Sequence, residues 1–391
     1  MKKYFRRTWL DIDTEALRDN YGAIASRLRE GTEIMAVVKA DAYGHGVEHI
    51  VKELTKCGCS WFAVSNLEEA MQVKNSEPDS CVLILGYTPP EYAVQLALNG
   101  ISQAVFNPEY AEALAENARE NGVEVRIHIK VDTGMSRLGF AYQDSEKDSG
   151  AVELIADACR LEGLYPEGIF THFACADEEN GEVFTRLQYD LFLGLIHGVE
   201  EAGVTFELRH CCNSAATVIY PEMQLDMVRP GIILYGLAPS EFIGRSIKLK
   251  PVMQMKTVVS MVKEIPEGTP VSYGRTFISD RTMKIATVPV GYADGLPRNL
   301  SGKMKMTVGG VQVPVVGRIC MDQCMLDVTG IENVSEGMTV TVFGSKNTVD
   351  DIAENANVIN YEIICGINKR VPRVYLEDGG VVAISDYLET K

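Results

Sequence analysis

Apolar runs long enough to cross a membrane are missing. The longest, such as residues 81–85, fall far short of the roughly 20 residues that a spanning helix needs. The basic start over residues 1–7 has the charge of a secretion signal but not its apolar centre, because Asp11, Asp13 and Glu15 interrupt it, so a cytoplasmic location is expected. Metal-binding cysteine pairs are also missing. Ten cysteines are scattered over 391 residues, and neither Cys57 with Cys59, Cys211 with Cys212, nor Cys320 with Cys324 makes the CxxC spacing of a zinc ribbon. Reduced thiols in a cytosolic protein without a structural metal are the expected state. Positive charge is scarce: the formal net charge of -17 argues against a nucleic-acid surface, which needs clustered lysine and arginine. That charge bears on solubility more than on substrate. No GxGxxG pattern follows the first strand-like run, which removes the main support for an open dinucleotide-binding sheet.

What is present is a regular alternation. Strand-like runs at residues 34–40, 61–65, 82–87, 103–106, 123–131, 168–173, 207–211 and 232–236 are separated by helical stretches at 46–55, 67–74, 108–121, 151–160 and 182–202. Short apolar runs divided by longer amphipathic stretches make parallel βαβ units, and eight of them fit a closed (β/α)8 barrel of TIM type. After about residue 245 the texture becomes mainly β, with strands expected at 258–262, 284–290, 305–308, 311–316, 325–328 and 339–343 between glycine-rich turns, and one helix at 350–355. The expected organisation is an α/β barrel over 1–240 and a mainly β domain over 245–391, with the first dozen or so residues available to pair with the β domain.

The densest chemical signal is AVVKADAYGHG over residues 36–46. Lys39 ends an apolar run and is followed by small, turn-forming residues; in a barrel, catalytic side chains collect at the carboxyl ends of strands. On position alone, a lysine at a strand end more often extends its ammonium into solvent. Apolar surroundings instead favour the neutral amine, which suits condensation with an aldehyde. Tyr43 and the neighbouring glycines add a hydroxyl and room for close backbone approach, as a phosphate-bearing cofactor would require.

This segment resembles the cofactor-lysine motif of the alanine racemase family. Eight further segments resemble the family in the same order: KVDTGMSRLG at 130–139, THFACAD at 171–177, NSAA at 213–216, VRPGI at 228–232, VSYG at 271–274, GYADG at 291–295, GRICMDQ at 317–323 and NYE at 360–362. The resemblance implies a pyridoxal-phosphate-dependent isomerase that interconverts L- and D-alanine as a head-to-tail homodimer with shared active sites, supplying D-alanine for peptidoglycan. It implies that Lys39 carries the cofactor and is the base on one face of the substrate, with Tyr273 of the second subunit as the base on the other. Removing a proton from one face and returning it on the other calls for two opposed bases unless one changes sides.

Further roles follow from the resemblance alone. Arg229 would face the pyridine nitrogen, and as a permanent donor it would leave that nitrogen unprotonated. Tyr43, Ser214, the Gly231 and Ile232 backbone and Tyr361 would hold the phosphate, and His172 would pack near the ring. Arg137 would orient the cofactor and the substrate carboxylate, and Lys130 matches a lysine that is often carbamylated. Tyr292 and Met321, with Asp322 beside them, would line the substrate pocket from the partner chain. Asp177, Arg298, Arg318 and Ile359 would line the channel leading to it. A tyrosine at position 361, rather than a smaller polar residue, favours alanine over serine, and a serine or broad alanine/serine racemase is the alternative. Two other readings are weighed. HGVEH at 45–49 fits the HxxEH pattern of zinc hydrolases, although Gly46 is poor inside a ligand-bearing helix. A non-catalytic carrier of the cofactor would have the barrel lysine but not Tyr273, Tyr292 and Met321.

Overall fold

The computed structural model describes residues 7–388, which form two compact units. Leu17–Ala42 with Val47–Lys250 make one; the described residues up to Ala16, Tyr43–Gly46 and those from Pro251 onward make the other.

The first unit is a closed barrel of eight parallel strands: Glu33–Val37, Trp61–Val64, Cys81–Ile84, Ile101–Val105, Val125–Asp132, Leu164–Phe170, Leu208–His210 and Met227–Val228. Each pairs with the next, and Met227–Val228 closes the ring against Glu33–Val37. The strands read as nearly unbroken apolar runs because helices cover one face and the barrel core the other. Trp61–Val64 and Ile101–Val105 are buried along their whole length. Local chemistry starts the helices: Asn66 caps Leu67–Ser76 by accepting from the Glu69 N–H, and Asn107 caps Pro108–Glu120 in the same way. Among the described residues no helix is long and apolar enough to cross a membrane.

Two features of the barrel depart from expectation. The eighth strand is the pair Met227–Val228, not 232–236; Ile232–Tyr235 is a 310 turn that closes on Gly236 in the left-handed conformation. Its apolar residues are buried by packing, without any strand pairing. The first strand ends at Val37, and Lys39–Tyr43 winds as a left-handed turn with positive φ at Ala40, Asp41, Ala42 and Tyr43.

The second unit is built on a ten-stranded sheet in the order Met261–Ile265, Met283–Val288, Cys324–Asp327, Val311–Val316, Lys305–Val308, Thr339–Phe343, Met253–Val258, Thr8–Asp13, Arg373–Glu377, Gly380–Ser385. Of the N-terminal segment expected to pair here, residues 1–6 lie outside the described residues. Thr8–Asp13 runs antiparallel to Met253–Val258 and parallel to Arg373–Glu377. The strand expected at 258–262 is divided, because the chain turns through Val259 and Ser260 between two strands. Along Met253–Val258 alternate residues are buried, the pattern of a sheet with one face on a core. Ile265, Val271, Met283, Ile285 and Val316 form one such cluster, and it backs the segment that carries Tyr273.

Candidate active site

In the barrel unit the expected residues gather behind the carboxyl ends of the strands. Lys39 follows the first strand, Lys130 lies in the fifth and Arg137 in the loop after it, His172 follows the sixth, Ser214 the seventh and Arg229 the eighth. The left-handed turn that begins at Lys39 is held by side chains: Glu69 Oε1 accepts from the Ala40 N–H at 2.7 Å and Asp41 Oδ1 from the Val47 N–H at 2.9 Å. A left-handed turn of L-residues costs roughly 1–2 kcal/mol per residue, so these contacts maintain a strained backbone next to Lys39.

Arg229 is 3% exposed and is held by hydrogen bonds within the barrel. Nη1 donates to His210 Nδ1 at 2.7 Å, and Nη2 donates to the Thr171 carbonyl at 2.7 Å and the Cys211 carbonyl at 3.1 Å. Burial draws the guanidinium down to about 10, which leaves it charged near neutrality. Lys130, 4% exposed, donates to the Val131 carbonyl and lies 5.5 Å from the centre of the Phe170 ring. Burial, and then the charge of Arg229, push its amine down to about 7. Burial, followed by the charges of Arg229, Arg137, Lys130 and Lys39, holds the His172 imidazole well below its ordinary value.

The Arg229 and Arg137 guanidiniums and the Lys130 and Lys39 amines therefore bear on one histidine. The carboxylate that offsets Lys130, Asp132, is already engaged, its Oδ1 accepting from the N–H groups of Gly134, Met135 and Ser136 at 2.9–3.1 Å. A surplus of positive charge in a protein of net charge -17 fits a ligand with a phosphate and a carboxylate. The surroundings of Ser214 suit such a ligand too: its Oγ accepts from the Gly231 N–H at 2.8 Å, at the start of the Ile232–Tyr235 turn. Asp177 lies in the loop after His172, and its carbonyl accepts from Ser240 Oγ. The residues present in the barrel fit pyridoxal phosphate.

In the other unit Tyr43 is buried, and its ring centre lies 6.0 Å from that of Tyr361. Tyr273 is 69% exposed and stands in an open groove of about 890 Å³ together with Ser272, Cys320, Met321 and Asp322. Ser272, at φ 65°, turns the chain into Tyr273 and donates from Oγ to the Arg318 carbonyl at 2.6 Å. Gly317 is needed behind it, since a Cβ there would come within 2.7 Å of the Val271 carbonyl oxygen. Tyr292 does not line the groove but borders it: the Tyr292 N–H donates to the Cys320 carbonyl and the Ala293 N–H to that of Met321. Arg298 and Ile359 are exposed and lie outside the groove lining. Of the HxxEH pattern, His45 precedes the helix Val47–Lys56 that carries Glu48 and His49, so the two histidines do not share a helical face. Glu48 pairs with Lys52.

Several residues of the site were not anticipated. Asp132 shapes the loop that carries Arg137, His210 and the Cys211 carbonyl hold Arg229, and Asp294 anchors the turn of Tyr292. An acidic residue just ahead of a Thr-Gly turn was the one local signal that could have revealed the first; the others depend on pairings distant in sequence.

The family model "Alanine racemase, N-terminal domain" matches residues 12–239, and "Alanine racemase, C-terminal domain" matches residues 252–375. Alanine racemase 2 of Caldanaerobacter subterraneus subsp. tengcongensis is 41% identical over 389 residues, covering 98% of each chain. A solved alanine racemase of Clostridium difficile 630 superposes with a TM-score of 0.94 at 37% identity, over 99% of this chain and 100% of that one. The alanine racemase of Bartonella henselae, whose structure has covalently bound pyridoxal phosphate, gives 0.84 at 29% identity, over 95% and 99% of the two chains. The motifs in order, the barrel with its cationic mouth and these full-length similarities together establish that the chain belongs to the alanine racemase family of pyridoxal-phosphate-dependent isomerases.

Proposed function

We propose that this protein interconverts L- and D-alanine by moving the α-proton between two bases on opposite faces, Lys39 and the partner subunit's Tyr273, in a head-to-tail homodimer. The observation that carries the reading is the gathering of Lys39, Lys130, Arg137, His172, Ser214 and Arg229 at the carboxyl ends of the barrel strands, with Arg229 Nη2 3.4 Å from His172 Nδ1. Pyridoxal phosphate, when bound, draws electron density from the substrate α-carbon and so loosens its hydrogen. Lys39 would hold the cofactor covalently until the substrate amine displaces it, and its freed amine would then carry the proton on one face. Tyr273, exposed on its own subunit, carries it on the other as a phenol that gives or takes one proton.

The remaining groups orient and bind. Arg137 meets the substrate carboxylate. Arg229, which can only donate, would face the cofactor's ring nitrogen and leave it without a proton, limiting electron withdrawal and the side reactions that stronger withdrawal would allow. Ser214, Gly231, Ile232, Tyr43 and Tyr361 hold the phosphate, and His172 packs near the ring. Tyr292 and Met321 complete the substrate pocket, and Asp177, Arg298, Arg318 and Ile359 border the approach to it. With its amine drawn down to about 7, Lys130 is available in neutral form to add carbon dioxide. The resulting carbamate anion would steady Arg137. The product would supply D-alanine for peptidoglycan in the cytoplasm.

The test is to incubate the purified protein and cofactor separately with L-alanine and L-serine and to follow the D-isomers. Faster D-alanine formation, abolished in Tyr273→Phe, is expected. Predominant D-serine would move the protein to the serine branch with the mechanism intact. A yellow protein that forms neither D-isomer would refute both assignments.

A further inference from the structure

A line of four polar side chains crosses the apolar interior of the barrel. Arg229 Nη1 lies 2.7 Å from His210 Nδ1, His210 Nε2 lies 2.9 Å from His128 Nδ1, and His128 Nε2 lies 3.1 Å from Glu167 Oε2. All four residues are buried, and the two imidazoles completely so. They come from four consecutive positions around the ring: the fifth strand gives His128, the sixth Glu167, the seventh His210, and Arg229 follows the eighth. Glu167 also accepts from Ser102 Oγ and from Arg126 Nη1. The reaction proposed above uses none of His210, His128 or Glu167.

The two ends of this line fix its direction. A guanidinium only donates and an ionised carboxylate only accepts. Burial alone would raise the Glu167 carboxyl, but the hydrogen bonds from His128, Ser102 and Arg126 outweigh it and hold the group below its ordinary value. Three hydrogen bonds in a row need three protons, and Arg229 supplies the first. His210 must then accept on a bare Nδ1 and donate its single proton from Nε2. His128 likewise accepts on a bare Nδ1 and gives its Nε2–H to Glu167. Both rings are neutral Nε2–H tautomers, because an extra proton on either would set two donors against each other. Burial and the charge of Arg229, which push the His210 imidazole well below its ordinary value, agree with this.

We propose that Glu167 is a positioning residue for Arg229: it dictates the ring tautomers that keep His210 Nδ1 an acceptor, and so holds the guanidinium edge in place at the mouth of the barrel. Glu167 acts through two intervening rings and is assigned no contact with cofactor or substrate. The catalytic consequence rests on the reading of Arg229 as the group at the cofactor's ring nitrogen; the proton order does not. Without an acceptor at position 167, the His128 proton can move to Nδ1, where it opposes the His210 Nε2–H. The His210 proton then moves to Nδ1 and confronts Arg229, which must shift.

The test is 15N NMR of the full-length, cofactor-loaded protein labelled at histidine, of which the sequence has only six. Wild type, Glu167→Gln and Glu167→Leu are compared; the glutamine keeps an accepting oxygen and the leucine has none. Bare Nδ1 atoms on both His128 and His210 are expected in wild type and in the glutamine variant. The leucine variant should show mixed tautomers, a shifted cofactor absorbance band and a kcat lower by on the order of tenfold or more, the equivalent of one lost hydrogen bond to a charged group. Its KM should change less than its kcat. A protonated Nδ1 on His210 in the wild type would overturn the proposal, as would a leucine variant with altered tautomers and unaltered kinetics. If the leucine variant does not fold, the wild-type spectrum and the glutamine rescue decide. A bare His210 Nδ1 in a protein that racemises no amino acid would refute the functional reading and leave the proton order standing.

Discussion

Replacing Asp294 by alanine probes how the turn that carries Tyr292 is held. The carboxylate is fully buried and has three partners: Arg7 Nη2 donates to Oδ1 at 2.5 Å, Arg370 Nε to Oδ1 at 2.9 Å and the Gly291 N–H to Oδ2 at 2.9 Å. Arg370 also reaches Asp322 at 2.7 Å, which ties the Tyr292 turn to the Met321–Asp322 segment. Alanine would leave the Gly291 N–H and one edge of Arg370 without acceptors. Removing one member of a buried ion pair typically costs roughly 3–5 kcal/mol. Arg7 and Arg370 retain some exposure and part of their hydration, so the lower end, about 3 kcal/mol, is expected. In thermal unfolding of a chain of 391 residues that corresponds to a midpoint lower by about 4 °C. Asparagine keeps the shape and one accepting oxygen but turns an NH2 toward a donor, so its loss should be intermediate. Both variants should raise the KM for the amino acid, because Tyr292 and Met321 are held through this turn. A loss below about 1 kcal/mol for Asp294→Ala would put the cluster with exposed ion pairs and refute the reasoning.

Ala40 sits at φ 53° and is exposed, so Ala40→Gly should relieve backbone strain. After the larger unfolded-state entropy of glycine is subtracted, a gain of up to about 1 kcal/mol is expected in urea unfolding, and a loss would show that the turn is unstrained. Lys130 is drawn down from an unfolded value near 10.5 to about 7, so between those values the unfolded chain binds more protons and stability rises with pH. Unmodified wild type should gain up to about 1.4 kcal/mol per pH unit over that window relative to Lys130→Met, and 13C-labelled bicarbonate should erase the difference if a carbamate forms. A difference that is flat with pH in the absence of carbon dioxide would contradict the assigned burial cost.

Much of the barrel was legible because its strands are buried on both faces and read as short apolar runs between amphipathic helices. The eighth strand was misplaced for a physical reason. Met227–Val228 is too short to register, while the apolar run after Gly231 is buried as a 310 turn and mimics a strand. Little local announces the left-handed turn at 40–43, since three of its four residues, Ala40, Ala42 and Tyr43, do not favour positive φ. Contacts from Glu69, 29 residues onward in sequence, help to impose it. Lys39, Tyr273 and Arg229 stood out because their neighbours in sequence form dense motifs. His128, Glu167 and His210 did not, because they lie on three different strands and their partnership exists only through strand pairing. The Asp294 cluster joins Arg7, Asp294 and Arg370 across most of the chain, and only the folded sheet brings them together.

The most direct measurement mixes two disabled variants. Lys39→Ala and Tyr273→Phe homodimers should each be nearly inactive in forming D-alanine. After subunit exchange, each mixed dimer would carry both lesions in one site and none in the other. Random exchange should therefore restore about a quarter of wild-type activity, as a two-fold dimer with shared sites requires. Recovery that rises to this level and depends on exchange is the predicted result. No recovery, with exchange demonstrated by mass, would mean that Lys39 and Tyr273 do not meet across two subunits.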